Sequence, residues 1–159
     1  MMTNRPKMIC FDMDGTIADL YGVDGWLEMI EEEEAFPYAV ARPMWNMEML
    51  VDLLGKIQAT GIEIRIITWL SKTSSEEFKV VTREAKREWL EDWAFPYDAF
   101  HGVQYGATKA DSVRRFLGEG ETAWLIDDNA KVRNGWHLGE AIDPTACDIL
   151  EVLASLLDD

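Results

Sequence analysis

Short apolar segments alternate with longer amphipathic segments along most of the chain. The clearest short segment covers residues 62–68, where the adjacent Ile66 and Ile67 indicate burial on both faces of a sheet. Two other apolar segments run directly into aspartates, Asp12 and Asp127. We therefore predict strands at 7–11, 62–68, 98–103, 123–126 and 140–142.

Helices are predicted where apolar residues recur three or four positions apart. Residues 44–60 follow this spacing and stop before Gly61, which is typical of a helix C-terminus. Ser74 or Ser75 can cap a long helix that continues to about Trp93. Further helices are predicted at 20–34, 109–117, 130–136 and 144–157, with a loop at 35–43 that contains two prolines.

The alternation of strands and helices predicts an α/β fold with a mainly parallel sheet, in a single domain spanning residues 1–159. In such sheets, ligands bind outside the carboxyl ends of the strands. Three predicted strands end at Asp12, Thr68 and Asp127. We therefore expect these three polar side chains, far apart in sequence, to meet at one edge of the sheet.

The net charge of the chain limits the kinds of partner that it is expected to bind. The chain has 30 acidic and 15 basic residues and a formal net charge of −15. This excess of negative charge disfavours a nucleic acid polymer or an anionic membrane, since both attract basic surfaces. A small phosphorylated substrate remains compatible, because a local lysine and a metal ion act at short range while salt screens distant charges.

The cellular compartment follows from segments that the sequence lacks. No apolar run approaches the roughly 20 residues that cross a bilayer, and residues 1–7 lack the apolar core of a signal peptide. Cys10 and Cys147 lie among apolar neighbours and are predicted to be buried free thiols. A cytoplasmic protein is expected, and the sequence does not define its oligomeric state.

Asp12 and Asp14 are the first candidate site residues. In extended chain, residues two apart point to the same side, so both carboxylates can face the edge of the sheet. Gly15 then permits a tight turn. Carboxylates at one place repel each other, and a divalent cation such as Mg²⁺ relieves that repulsion. Asp127 and Asp128 would bring further carboxylates to the same edge.

The same residues can carry out phosphoryl transfer. A carboxylate is ionised near neutral pH, so Asp12 needs no base in order to attack phosphorus and form an aspartyl-phosphate. Asp14 can protonate the leaving oxygen and then accept a proton from the attacking water. The negative charge of the transferred group can be stabilised by Mg²⁺, by a lysine and by the hydroxyl of Thr68.

With these residues, the chain resembles the haloacid dehalogenase-like hydrolases, most of which are phosphatases. Four segments carry the resemblance, in the order found in that family: Ile-Cys-Phe-Asp-Met-Asp-Gly-Thr at 9–16, Ile-Ile-Thr at 66–68, Ala-Thr-Lys-Ala at 107–110 and Leu-Ile-Asp-Asp-Asn at 125–129. The resemblance covers nearly the whole chain. It implies a three-layer Rossmann-like sandwich and a Mg²⁺-dependent phosphomonoester hydrolase that forms an aspartyl-phosphate.

The resemblance also implies a role for each residue. Asp12 would be the nucleophile and Asp14 the general acid and base. Thr68 and Lys109 would hold the phosphoryl group. The implied Mg²⁺ ligands are Asp12, the backbone carbonyl of Asp14, Asp127 and Asp128.

Within this family the resemblance is nearest to small 5′(3′)-deoxyribonucleotidases, which implies nucleoside monophosphates as substrates. Residues 19–42 leave room for only a minimal cap over the site. Their aromatic residues can stack on a base or pack the cap onto the core, and Arg42 can meet a phosphate or a base edge. The aromatic residues are Tyr21, Trp26, Phe36 and Tyr38. Trp45 and Trp69 also fall near the predicted edge.

Several of these residues have simpler interpretations. Asp12 and Asp14 also fit a plain turn at the end of a strand, since Asp-Gly is a common turn pair, and Asp127-Asp128 also fits a helix cap before Ala130. Thr68 can be an ordinary strand-ending residue, and Lys109 an ordinary solvated lysine. Lys72 and Lys131 also lie near the predicted edge and compete with Lys109 for its role.

Two other functions fit the same scaffold. One is a metal-independent dehalogenase-type hydrolase, which would require neither Asp14 nor the acids at 127–128. The other is a non-catalytic or regulatory binding protein that keeps the fold.

Overall fold

A five-stranded parallel sheet forms the centre of the protein, whose computed structural model describes residues 5–72 and 74–158. Residues 1–4 of the polar N-terminal segment lie outside the described residues. In spatial order, the strands are β5 (Ala99–Val103), β4 (Glu63–Trp69), β1 (Met8–Phe11), β6 (Ala123–Ile126) and β7 (Ala141–Ile142). A separate antiparallel pair joins β2 (Ala18–Asp19) to β3 (Arg42–Pro43). The predicted α/β fold with a mainly parallel sheet is confirmed.

Helices connect the strands and cover the sheet. They are α1 (Trp26–Glu31), α2 (Phe36–Val40), α3 (Met47–Ala59), α4 (Glu76–Asp92), α5 (Ala130–Asn134) and α6 (Ile149–Ala154). Ser75 caps α4, where its hydroxyl accepts a hydrogen bond from the backbone N–H of Phe78. Among the described helices, none combines the length and the apolar character needed to span a bilayer.

The sheet lies between two layers because alternate residues of each buried strand face opposite sides. On one side, Ile9 and Ile66 pack with apolar residues of α3, α4 and α6. On the other side, Cys10 and Ile67 pack against Val113 and the region around α5. The result is the predicted three-layer arrangement, with β1 at its centre and fully buried.

The sequence pattern predicts a loop at residues 35–43, and this prediction is wrong. The segment contains α2 and β3. Pro37 is compatible with the helix because it lies in the first turn, where the missing N–H has no helical partner. Tyr38 then packs with Leu20 and Phe78, and the indole of Trp89 donates a hydrogen bond to the carbonyl of Ala41. These contacts with distant residues stabilise a segment that has little helical pattern of its own.

Three predicted helices are shorter than the sequence pattern indicates. Residues 20–34 contain a 3₁₀ turn at Leu20–Gly22 and then α1, because Gly25 adopts a left-handed conformation with φ 75°. Residues 109–117 form two 3₁₀ segments, Lys109–Ser112 and Arg114–Phe116, which separate where the backbone of Val113 leaves the helical region.

The third shortened helix, at 144–157, starts later than predicted and leaves Cys147 outside it. Residues 144–157 form α6 and a 3₁₀ turn, since the side chain of Asp148 accepts a hydrogen bond from Leu150 N and starts the helix there. Cys147 precedes that cap and is exposed, so its predicted burial is wrong. Cys10, on the central strand, is buried as predicted.

Candidate active site

The carboxyl ends of the central strands meet at one cavity of about 680 Å³. Asp12 follows β1, Asp127 follows β6, and Thr68 lies near the end of β4. Because the three strands are adjacent and parallel, these residues converge as the sequence predicts. All six predicted site residues line this cavity: Asp12, Asp14, Thr68, Lys109, Asp127 and Asp128.

Lys109 is the lysine in direct contact with the predicted nucleophile. Its Nζ lies 2.8 Å from Asp12 Oδ1 and 2.8 Å from Asp127 Oδ2, and the side chain is buried. Burial disfavours its charge, but the two carboxylates outweigh that effect and raise the pKa of Lys109 above its ordinary value. Lys72 and Lys131 line the cavity wall but are exposed, so Lys109 is the better placed of the three.

The turn after β1 holds Asp12 from its other side. The hydroxyl of Thr16 donates to Asp12 Oδ2 at 2.9 Å, and its oxygen accepts the backbone N–H of Asp128 at 3.1 Å. Gly15 has φ +83°, and a Cβ at this position would collide with the carboxylate of Asp128. Glycine is therefore required here for two reasons, the left-handed backbone and the close approach of Asp128.

Three carboxylates form a cluster that suits a divalent cation. One oxygen from each of Asp12, Asp127 and Asp128 lies within 4.8 Å of the others. Burial, together with repulsion from neighbouring carboxylates, raises the pKa of Asp127 to about 6 and that of Asp128 to about 7. A set made only of carboxylate oxygens matches the preference of Mg²⁺, and a bound cation would remove the repulsion.

Asp14 has a partner that the sequence interpretation missed. Lys86, on α4, places its Nζ 2.8 Å from Asp14 Oδ2, 2.7 Å from Thr68 Oγ1 and 2.9 Å from the carbonyl of Trp69. Burial raises the pKa of Asp14, and the charge of Lys86 partly opposes that rise. The sequence contains a signal for this role, since Lys86 is four residues from Leu90 on the buried face of α4.

Two aromatic pairs form parts of the cavity wall. Tyr21 and Trp26 lie with ring centroids 4.9 Å apart, and Trp69 and Tyr105 with centroids 5.0 Å apart. Tyr38 also lines the cavity.

Three residues expected near the edge lie elsewhere. Phe36 is exposed and outside the cavity wall, while Arg42 and Trp45 line a separate surface depression. Trp45 still supports the turn after β1, since its indole N–H donates to the carbonyl of Thr16.

Comparison with known proteins identifies the fold. The sequence matches no protein-family model and no curated protein. The haloacid dehalogenase-like family hydrolase SP0104 from Streptococcus pneumoniae aligns with a TM-score of 0.57 and 17% identity, over 98% of this chain and 99% of its own. A chain from the Pnkp1/Rnl/Hen1 RNA repair complex aligns with a TM-score of 0.56 and 16% identity over 87% of this chain, which spans 42% of that chain. At these identities the likeness concerns architecture, and the architecture is that of the haloacid dehalogenase-like fold.

Proposed function

We propose that this protein is a Mg²⁺-dependent phosphomonoester hydrolase in which Asp12 forms an aspartyl-phosphate. The observation that carries the proposal is the contact of buried Lys109 with both Asp12 and Asp127 at the base of the cavity. A lysine in this position adds positive charge where a phosphoryl group would meet Asp12. Asp14 and Thr68 line the same cavity.

The proposed reaction begins at Asp12. One of its carboxylate oxygens attacks phosphorus, and the bond from phosphorus to the leaving oxygen breaks. Asp14 donates a proton to that oxygen, so the product leaves as an alcohol. A water then attacks phosphorus, Asp14 takes its proton, and the bond to Asp12 breaks to release inorganic phosphate.

Other groups stabilise the charge on the phosphoryl oxygens. Lys109 uses two of its three N–H groups on Asp12 and Asp127, which leaves one for the substrate. The hydroxyl of Thr68 can donate a further hydrogen bond. Mg²⁺, held by Asp12, Asp127, Asp128 and the backbone carbonyl of Asp14, would neutralise part of the negative charge when bound.

Protons and Mg²⁺ would compete for the carboxylates of Asp127 and Asp128, and this competition can be tested. Because the pKa values of Asp127 and Asp128 are raised to about 6 and about 7, the metal-free native state binds protons that the unfolded state releases. The stability of the metal-free protein should therefore fall as pH rises from about 4 to about 7. Mg²⁺ should raise the melting temperature more at pH 8 than at pH 5.5, since protons compete with the cation at the lower pH.

Thermal unfolding with and without Mg²⁺ at both pH values tests this. The variant Asp128→Asn removes one titrating ligand, whereas Asp111→Asn removes an exposed carboxylate that does not line the cavity and serves as the control. An equal Mg²⁺-induced shift at pH 5.5 and pH 8 would contradict the proposed metal site.

The proposed substrate class is the nucleoside monophosphates. Residues 19–42 would act as a minimal cap, since Tyr21, Trp26 and Tyr38 from this segment line the same cavity as Trp69 and Tyr105. Flat rings in the cavity wall suit the planar base of a nucleotide, and stacking on an aromatic side chain is worth about 1–3 kcal/mol per base. The excess negative charge of the chain disfavours a polynucleotide in this role.

A substrate panel tests both the reaction and its specificity. We expect Mg²⁺-dependent release of phosphate, with kcat/KM at least about 10-fold higher for nucleoside monophosphates than for sugar phosphates. Trp26→Ala should reduce that preference, whereas Phe36→Ala, in the same segment but outside the cavity wall, should preserve it.

The panel also separates the competing functions. Equal turnover of nucleotides and sugar phosphates would overturn base recognition alone. Hydrolysis that survives a metal chelator would argue for metal-independent chemistry of the dehalogenase type. A wild-type protein that hydrolyses none of the esters in Mg²⁺ would favour a non-catalytic role.

A further inference from the structure

We propose that Lys86 is a positioning residue that holds the Asp14 carboxylate and makes the Thr68 hydroxyl a hydrogen-bond donor toward the substrate. The inference rests on the proposed hydrolase function, because it assigns a role to a group that would not itself touch the phosphoryl group. Lys86 lies on α4, away from the four sequence segments that resemble a known family. Its side chain is 1% exposed, which is exceptional for a lysine and requires strong compensation.

The hydrogen bonds of Lys86 account for all of its donors. An ammonium group has three N–H groups and accepts no hydrogen bond. Its Nζ has three oxygen partners, Asp14 Oδ2, Thr68 Oγ1 and the carbonyl oxygen of Trp69, at 2.7–2.9 Å. No donor is left for a substrate oxygen, so Lys86 acts through its partners. Lys109 differs, since its two carboxylate partners leave one N–H available.

This arrangement fixes the direction of the Thr68 hydroxyl. Because the ammonium can only donate, Thr68 Oγ1 must accept the hydrogen bond from Lys86. The hydroxyl proton then points elsewhere, and Thr68 lines the cavity where the phosphoryl group would bind. A threonine hydroxyl that already accepts a charged hydrogen bond is therefore prepared to donate to a phosphoryl oxygen.

The same ammonium holds Asp14 and the end of β4. The Asp14 side chain is 18% exposed, and Lys86 provides the opposite charge at 2.8 Å. The bond to the Trp69 carbonyl connects α4 to the last residue of β4. The Nζ also lies 5.1 Å from the ring centroid of Tyr38, which covers it from the proposed cap. One side chain thus couples the turn after β1, the end of β4 and the cap.

The main experiment compares Lys86→Met with Lys79→Met. Methionine retains an unbranched chain but removes the charge and every donor. Lys79 lies on the same helix and pairs with the exposed Glu76, so its variant controls for loss of a lysine from α4. With Mg²⁺ present, Lys86→Met should lower kcat about 100-fold on an alkyl phosphate, with KM changed by less than about 3-fold. Lys79→Met should match the wild type.

Leaving-group dependence separates positioning from general loss of structure. An alkyl phosphate needs the proton of Asp14, whereas p-nitrophenyl phosphate has a leaving group that departs without one. The loss in Lys86→Met should therefore be smaller on p-nitrophenyl phosphate by about 10-fold. A merely structural role would reduce turnover of both substrates to the same extent.

A double variant keeps the test valid if Lys86→Met does not fold. Asp14→Asn/Lys86→Met removes both charges and leaves no unpaired buried carboxylate at Asp14. The part of the effect that Lys86 exerts through Asp14 is already absent in Asp14→Asn, so adding Lys86→Met to Asp14→Asn should lower activity by clearly less than Lys86→Met lowers that of the wild type. Circular dichroism and thermal melting check the fold of each variant.

The outcomes distinguish the two levels of the proposal. An active wild type with Lys86→Met equal to Lys79→Met would overturn the positioning role and leave the hydrolase function standing. Equal losses on both substrates, or full additivity with Asp14→Asn, would also overturn it. A wild type inactive on every phosphate ester would overturn the proposed function, and this inference with it.

Discussion

Asp12→Asn should lower the rate of phosphate ester hydrolysis by at least about 1,000-fold in the presence of Mg²⁺. An amide has almost no nucleophilicity toward phosphorus, so the covalent step should be lost. The substitution preserves the size of the side chain. The Thr16 hydroxyl, which donates to Asp12 Oδ2, can pair with either the oxygen or the NH₂ group of the amide. Lys109 also keeps its contact with Asp127, so the fold should remain intact.

Two measurements make this prediction decisive. Acid quenching of the wild type during turnover of a ³²P-labelled ester should trap labelled protein, whereas Asp12→Asn should trap none. Asp111→Asn is the matched control, because Asp111 is exposed, pairs with Arg114 and does not line the cavity. Hydrolysis that persists in Asp12→Asn would show that the nucleophile has been assigned wrongly.

Lys109→Met should lower both activity and stability. Lys109 compensates two buried carboxylates, and removing one partner from a buried ion pair typically costs about 3–5 kcal/mol. We expect the free energy of unfolding of the metal-free protein to fall by about 3 kcal/mol. We expect kcat/KM to fall at least about 100-fold, since the substrate also loses a charged donor.

The carboxylates of Asp12 and Asp127, which remain after Lys109 is removed, provide a check on the cause of the lost stability. Without Lys109, Asp12 and Asp127 repel each other more strongly, so Mg²⁺ should raise the melting temperature of Lys109→Met by more than it raises that of the wild type. Lys131→Met is the control, because Lys131 lines the same cavity but is exposed. If Lys131→Met matched Lys109→Met in activity and in stability, the assignment of Lys109 as the phosphoryl-binding lysine would be contradicted.

The strands of the five-stranded sheet are predicted well because their signal is local, whereas the two-residue strands β2 and β3 are not predicted. A strand buried on both faces is a continuous apolar run, and β6 was predicted with its observed bounds. From parallel strands alone it followed that Asp12, Thr68 and Asp127 would meet at one edge, and they do. The predicted assignment of catalytic roles to these residues stays a proposal until the variants above are measured.

The connecting segments were predicted less well because distant contacts define them. The proline-containing segment 35–43 becomes helical where Tyr38 packs against Phe78 of α4. The predicted helix at 109–117 divides into 3₁₀ segments, while Val113 is buried against the sheet. Neither contact partner is close in sequence, so local helical spacing did not indicate the outcome.

The amino-acid sequence alone predicts the α/β class, the edge of the sheet where the acids gather and the glycine turn that follows Asp12. These features follow from apolar runs and from the residues that end them. The sequence does not show which lysine contacts Asp12 or which aromatic rings line the cavity, and the folded structure is needed to identify both. It also revealed Lys86, which the sequence pattern treats as one charged residue of a long helix. The physical reason is that burying the ammonium of Lys86 requires acceptors for its three N–H groups. These acceptors come from the turn after β1 and from the end of β4, which meet α4 only in the folded chain.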